Sequence, residues 1–439
     1  MKSNQITRRR FLQHTAGSLA FPYVVSSAAL GKAGNVPASE RITVGCIGVG
    51  NRGTKVMRAA LGQKDAQVVA VCDVKSNVLK NRQELVNKHY QNNSCKAYTD
   101  FRELVARDDI DACLVATCDH WHVLTSLAAV RSGKDVYMEK PMGMSLEEDQ
   151  KMRKAVQRYG RIFQFGTQQR SSRNFRFACE LVRNGLIGDL QRVNVWSSGS
   201  RSGGDPTPLP VPEWLDYDMW LGPAPKKPYT RDRTSNTLWW FISDYAIGFI
   251  AGWGIHPMDI ALWGASEKMQ GPYQIEGTGR FPTQGVCDTA VEWDVKMQYA
   301  GGMTMRFTSD PCPREWKKRY GRTIEHGTAF EGTDGWVLVD RSGIRAHPNS
   351  LLKVKWGPND NRLYESRNHV RNFLDCIKSR KPTICPVEEA VQTDLLCMIS
   401  NVAIRLKRKL KWDPKKETFI NDQLANRMLT RSMRPPWHL

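Results

Sequence analysis

Ile42-Thr43-Val44-Gly45-Cys46-Ile47-Gly48-Val49-Gly50-Asn51-Arg52-Gly53 is the stretch that decides the fold. A short apolar, strand-like run ends in Gly48-x-Gly50-x-x-Gly53, and Gly53–Leu61 can continue as a helix. In such a strand–turn–helix the first glycine allows the tight turn. The second lets the backbone approach a pyrophosphate, and the third lets helix and strand pack closely. Free N–H groups and the dipole at the helix N-terminus favour an anion. Asp73 lies twenty residues beyond Gly53, at the end of the apolar run Gln67–Cys72. A carboxylate there can bind ribose hydroxyls. It would repel a 2′-phosphate, so NAD is expected rather than NADP. Gly48, Gly50, Asn51, Arg52, Gly53 and Asp73 are therefore the expected cofactor-binding residues.

The pattern repeats outward. Ile110–Ala116 is a third apolar run, Val123–Arg131 reads as a helix stopped at Gly133, and Asp135–Met138 is another strand. Strand–helix alternation argues for a parallel sheet covered on both faces. Residues 40–160 are accordingly expected to form one nucleotide-binding α/β domain. Ile162–Gly166 reads as a strand, Asn174–Asn184 as a helix closed by Gly185, and 199–236 as a long loop rich in Pro, Gly and charge. Ala290–Tyr299, Gly302–Thr308 and Gly335–Asp340 alternate as antiparallel strands of an open sheet do. Val370, Phe373, Leu374 and Ile377 mark one helix face, and Val391, Leu395, Val402 and Leu406 a second helix. Residues 161–415 are thus expected to form an α+β domain, with 416–439 left as a basic C-terminal tail.

The chain has 439 residues, enough for two or three domains with sizeable cores. With 9% aromatic and 25% charged residues it is neither disordered nor a small disulfide scaffold. No run of eighteen apolar residues occurs, so no integral membrane segment is expected. The eleven cysteines include no C-x-x-C pair, which argues against a zinc knuckle; no metal is expected. The net charge is +20. Part of it belongs to residues 1–33, which carry five cations and no acid. There Thr7-Arg8-Arg9-Arg10-Phe11-Leu12 precedes a mild apolar stretch, Ala16–Leu30, and resembles a twin-arginine signal peptide. An exported, periplasmic location is the expectation. From Arg405 to Leu439 ten cations face three acids. Such a run is usually a solvated face, and with no zinc-finger or RNA-binding signature beside it no nucleic-acid partner is expected.

Chemistry-bearing residues cluster after the strands, where parallel sheets bind cofactors. Thr117-Cys118-Asp119-His120-Trp121-His122 follows the third apolar run, and Thr117, His120, Trp121 and His122 are candidates for cofactor contact. Taken alone, two nearby histidines there are better explained by helix capping and packing. Tyr137-Met138-Glu139-Lys140-Pro141 follows the next strand. A lysine placed there, beside a nicotinamide ring, would hydrogen-bond a substrate hydroxyl and stabilise an alkoxide. Gln168, Gln169 and Arg170 are expected to face cofactor or substrate. Seven of the fourteen tryptophans (Trp196, Trp214, Trp220, Trp239, Trp240, Trp253 and Trp263) fall within 68 residues. Most should serve packing, with one or two left to stack on a sugar ring.

The glycine run, Asp73, the Thr117–His122 segment and Glu139-Lys140-Pro141, in this order, resemble the Gfo/Idh/MocA oxidoreductases. The resemblance extends from about residue 40 to the C-terminus. It is strongest to exported members with a Trp-rich substrate domain and a C-terminal Trp412-Asp413-Pro414 segment. It implies an N-terminal Rossmann domain and a C-terminal α+β domain with a large, mostly antiparallel open sheet. That sheet often forms the oligomer contact, so a dimer or tetramer is expected. It also implies that Lys140 is the active-site lysine, with Glu139 beside it at the cofactor. The family's Asp-x-x-x-His signature maps onto Gly252 and His256, so the histidine is present and the aspartate is not. Asp259, one helical step further, either orients the imidazole or is a structural cap. The resemblance thus implies an NAD-dependent oxidoreductase acting on a sugar, polyol or glycoside hydroxyl, with tightly held cofactor. Two alternatives stay open: a redox-neutral glycosidase or lyase step, and a non-catalytic NAD- and sugar-binding sensor.

Overall fold

The structure is a computed structural model that describes residues 36–235, 237–321 and 324–439. The stretch read as a leader lies outside the described residues. The first described residues, up to Arg41, belong to a separate unit, and there Ala38–Glu40 make a single 3-10 turn. Residues 42–439 form the second unit, described below.

Its first sheet has six strands: β1 (Ile42–Ile47), β2 (Ala66–Cys72), β3 (Lys96–Tyr98), β4 (Ala112–Val115), β5 (Asp135–Met138) and β6 (Phe163–Phe165). All pairs are parallel, in the order β3-β2-β1-β4-β5-β6. β4 and β5 are buried on both faces, as helix-covered parallel strands must be. The strand order reverses between β1 and β4, and a crevice opens there at the carboxyl ends. The turn after β1 needs its glycines. Gly48 has φ +76°, and a Cβ on it would lie 2.7 Å from the Ala116 backbone. A Cβ on Gly53 would lie 1.8 Å from the Gly48 carbonyl oxygen, so the helix Asn51–Leu61 rests directly on the turn.

The second sheet has nine strands: β7 (Leu190–Ser197), β8 (Tyr273–Arg280), β9 (Glu292–Gln298), β10 (Thr304–Ser309), β11 (Gly327–Gly332), β12 (Trp336–Asp340), β13 (Gly343–His347), β14 (Leu410–Asp413) and β15 (Thr418–Phe419). All pairs are antiparallel except β7–β10, which is parallel. β9 shows the open-sheet alternation, with Trp293, Val295 and Met297 buried and Glu292 and Gln298 exposed. The helices Ile255–Ala265 and Val387–Leu406 pack between this sheet and the first domain. Every residue of Ile255–Ala265 is buried, which brings His256 and Asp259 into the interior.

Two segments return to the first domain. Helix His369–Ser379 places Val370, Phe373 and Leu374 in the core that contains Val44, Met57 and Leu114. The stretch expected as a basic tail is instead folded. Arg408 pairs with Asp422 at 2.5 Å, Arg431 with Glu148 at 2.7 Å and Arg434 with Asp218 at 2.7 Å. Trp437 packs edge-on against Trp121, with ring centroids 4.7 Å apart. Arg431 and Arg434 meet acids far away in sequence, Glu148 and Asp218, a pairing that linear charge counting does not see. All eleven cysteines are free. No helix among the described residues is long and apolar enough to cross a membrane.

Candidate functional site

A crevice of about 460 Å³ runs from the carboxyl ends of β1, β2, β4 and β5 to the buried helix Ile255–Ala265. A larger depression of about 790 Å³ lies on the outer face of the second sheet, but none of the motif residues lines it. The chemistry therefore belongs to the crevice.

One half fits a dinucleotide. Gly50, with open space where a Cβ would stand, precedes the free N–H groups of helix Asn51–Leu61. Asp73 accepts hydrogen bonds from the backbone N–H of Val49 and Lys75, both at 3.0 Å, which fixes its carboxylate at the end of β2. The long loop 199–236 then straps this end. Ser76 N donates to the Trp214 carbonyl at 2.8 Å, Asp216 N to Val74 O at 3.0 Å, and Lys75 Nζ to Thr234 O at 2.9 Å. Leu215, Trp220, Tyr229, Trp239 and Tyr245 form a small core of their own, against which Val74 and Cys118 pack.

The other half holds the reactive groups. Lys140 follows β5, and its peptide bond to Pro141 is cis. The loop is held from below: Asp394, on helix Val387–Leu406, accepts from Met142 N and Gly143 N, both at 3.2 Å. Lys140 Nζ donates to the Gly252 carbonyl at 2.6 Å. Burial lowers the Lys140 ammonium pKa, against the pull of Glu139 and Asp119, and burial raises that of the Asp119 carboxyl. Glu139 is locked by Arg52 at 2.8 Å and by Gln168 at 2.9 Å. His256 lines the crevice, is 4% exposed, and has no hydrogen-bond partner at Nδ1 among the described residues. Burial first, then the charges of Lys140 and Arg341, hold its imidazole neutral far below the ordinary histidine range.

The structure brings most of the expected residues together. Gly48, Gly50, Asn51, Arg52, Asp73, Thr117, Trp121, His122, Glu139, Lys140, Gln168 and His256 all line the crevice. Gly53 lies behind the turn and acts through packing. His122 bridges two loops, with Nδ1 2.6 Å from the Pro141 carbonyl oxygen and Nε2 3.1 Å from that of Thr117. His120, expected at the cofactor, lies outside the crevice lining. Its Nε2 sits 3.0 Å from the Trp220 carbonyl and its ring packs on Tyr245, so it joins the strap to the first domain. Of the neighbours of Gln168, Gln169 is buried outside the crevice and Arg170 turns away from it.

Asp259 does not orient His256. Both its oxygens meet Arg170, at 2.8 and 2.6 Å, and Oδ1 also accepts from Thr393 at 3.1 Å. Arg170 is 1% exposed and completes its pairing with Glu389. This bidentate pair ties the segment after β6 to two helices of the second domain. Removing one partner of a buried pair leaves the other charge uncompensated. Asp259→Asn is expected to cost about 3 kcal/mol, read from denaturant unfolding, with the pH profile of turnover unchanged. A shifted profile at full stability would return Asp259 to the catalytic set.

Four of the seven clustered tryptophans line the crevice (Trp220, Trp239, Trp240 and Trp253). Arg341, just after β12, was given no role from sequence. It reaches the crevice only through the strand order of the second sheet, and no local motif marks it.

A six-stranded parallel sheet with a glycine turn at its crossover, and a lysine facing a buried histidine across the crevice, define a dinucleotide-binding enzyme fold. Residues 42–167 match the model described as the oxidoreductase family's NAD-binding Rossmann fold, and 198–439 the one described as its C-terminal alpha/beta domain. The chain belongs to the Gfo/Idh/MocA oxidoreductase family, and its cofactor is NAD. It is 36% identical over 114 residues to a glycosyl hydrolase family 109 protein of Saccharopolyspora erythraea, which is 25% of each chain. It is 30% identical over 174 residues to a myo-inositol 2-dehydrogenase of Thermotoga maritima, 40% of this chain and 47% of that one. These matches span a quarter to about half of the curated relatives' length. The WlbA dehydrogenase of Bordetella pertussis, solved with NADH and UDP-GlcNAcA, superposes with a TM-score of 0.62 at 15% identity. That match covers 84% of this chain and 98% of the other. The scyllo-inositol dehydrogenase of Lactobacillus casei, solved with NAD(H) and scyllo-inositol, gives 0.58 at 16%, covering 84% and 99%. At these identities the likeness shows the shared fold.

Proposed function

We propose that this chain is an NAD-dependent oxidoreductase that oxidises a hydroxyl of a sugar, polyol or glycoside and keeps its cofactor through the cycle. The carrying observation is the convergence of Lys140 and His256 on one crevice. When bound, NAD supplies a hydride acceptor at nicotinamide C4. The Lys140 ammonium, released from the Gly252 carbonyl, donates to the reacting oxygen and stabilises the developing alkoxide. His256, kept neutral by its surroundings, takes the proton as general base. Trp239 and Trp240 offer flat faces to the C–H faces of a ring.

The strap over the Asp73 end supports a retained cofactor. So does the leader-like Arg8-Arg9 segment, because an exported enzyme finds little free NAD outside the cytoplasm. An exported location and assembly as a dimer or tetramer belong to the same proposal. The relatives named as glycosyl hydrolases favour a second reading with the same residues: transient oxidation, elimination of a leaving group, and return of the hydride.

The test is the absorbance of the purified protein before and after adding sugars, polyols and glycosides, with no NAD supplied. A reduced-nicotinamide band with one compound supports net oxidation. Steady conversion of a glycoside without such a band accumulating supports the redox-neutral route. A bound nicotinamide that no compound in the panel reduces or turns over favours the sensor reading.

The neutral imidazole has a pH consequence. With its pKa driven far below the ordinary value, His256 stays unprotonated, and so free to accept a proton, through the mildly acidic range. The kcat/KM profile should therefore show no limb near the ordinary histidine pKa of about 6.5. Gly252→Asp places a carboxylate four residues before it, which favours the imidazolium and should move that limb upward. A Cβ at 252 meets the Phe249 ring at 3.3 Å, so the ring must give by a few tenths of an ångström. An unchanged profile would mean that this side chain does not reach His256.

A further inference from the structure

Arg341 is a cation without an acid. No carboxylate among the described residues pairs with it, although twenty-five other cation–acid contacts are formed. Its neighbour Asp340 is already taken by Arg345 at 3.0 Å and by Ser342 N at 2.8 Å. Instead the guanidinium lies over the Trp253 ring, 4.8 Å from its centroid. Trp253 lines the crevice beside His256, their ring centroids 5.7 Å apart, and Arg341 lines it too.

The acids of the crevice do not answer this charge. Glu139 is spent on Arg52 and Gln168, and Asp73 on backbone N–H groups at the far end. Asp119 feels the charge of Lys140 without pairing with it, and burial favours its neutral form. Glu325 is the one acid whose field supports Arg341, while burial and Arg52 depress it. A stacked guanidinium with free N–H groups is the preferred receptor for a planar oxyanion, which it grips in bidentate fashion.

We propose that the substrate is an anionic sugar, carrying a carboxylate or sulfate ester that Arg341 binds while Lys140 holds the reacting hydroxyl. This rests on the oxidoreductase reading and adds to it the charge of the substrate. Of the cations in the crevice, Arg52 then has Glu139, Lys75 the Thr234 carbonyl, Lys140 the reacting oxygen and Arg341 the anionic substituent.

The full-length protein with its bound NAD is titrated with D-glucuronate, D-galacturonate and N-acetylglucosamine 6-sulfate, following tryptophan fluorescence and the nicotinamide band separately. Glucose, galactose, N-acetylglucosamine and the methyl ester of glucuronate are the uncharged controls. At least one acid should bind about tenfold or more tighter than its uncharged counterpart, and a uronate or the sulfate ester will be the tighter class. Arg341→Met should erase that preference and leave the bound NAD in place. Equal or better binding of the uncharged compounds overturns the proposal, and so does failure of every anion to bind. Loss of NAD from Arg341→Met also overturns it, since the guanidinium then serves the pyrophosphate. The two readings fail differently. Reduction of bound nicotinamide by a neutral sugar alone sinks the anion and keeps the oxidoreductase. Selective binding of an anion that never reduces nicotinamide, and is never converted, keeps Arg341 and sinks the oxidoreductase.

Discussion

Lys140→Met should keep its NAD and lose turnover by about 10²–10³-fold, the cost of removing one preorganised donor at a developing oxyanion. The fold gives this side chain no other task. Its Nζ meets one protein acceptor, the Gly252 carbonyl at 2.6 Å, and a substrate hydroxyl can take that place. The loop does not depend on the ammonium, because Asp394 holds Met142 and Gly143 through their backbone N–H groups. A methionine of similar length leaves that anchor and the cofactor cradle untouched. Lys140→Arg should not restore the rate, because a planar fork cannot place a single donor where the ammonium stands. Cofactor content is read from the absorbance of the denatured protein, and turnover from the nicotinamide band. Full turnover in the methionine variant with NAD still bound would remove Lys140 from the mechanism.

Local chemistry made much of this site legible in the sequence. The glycine turn and Asp73 are a contiguous strand–turn–helix and the strand after it, so backbone sterics alone dictate them. Lys140 and Glu139 follow the short strand Asp135–Met138, and it was the family resemblance that implied a role for them there. What stayed hidden is set by tertiary pairing. Asp259 sits one helical step from His256 and looks like its partner. Yet the helix is buried all round, and Asp259 faces Arg170, eighty-nine residues earlier in the chain. His120 and His122 are two residues apart on one helix start; only the fold shows that one joins the strap and the other lines the crevice. Helix Ser76–Tyr90 was not anticipated either. Only Leu79 and Val86 of its fifteen residues are buried, too few to print an apolar stripe. The basic C-terminal stretch read as solvated because its acids, Glu148 and Asp218, lie far away in sequence. Arg341 had no motif at all.

The glycine turn supports the second large effect. Gly50→Ala and Gly53→Ala should both empty the cofactor site, for different reasons that a stability measurement separates. At Gly50 φ is −62°, ordinary for any residue, and a Cβ meets nothing within 4 Å. The variant should fold with the unfolding midpoint of the NAD-free parent protein, while its methyl group stands where the pyrophosphate must approach the backbone. At Gly53 a Cβ would come within 1.8 Å of the Gly48 carbonyl oxygen and 2.9 Å of its carbon. Those atoms are backbone and cannot rotate away, so helix and turn must separate. Overpacking of this kind costs about 1–3 kcal/mol. A loss of about 3 kcal/mol at the cradle corresponds to more than about 100-fold in NAD affinity. Gly53→Ala should therefore unfold earlier as well as lose NAD. If it kept both its cofactor and its midpoint, the helix would not rest on the turn as the structure has it, and the anion cradle would need another origin.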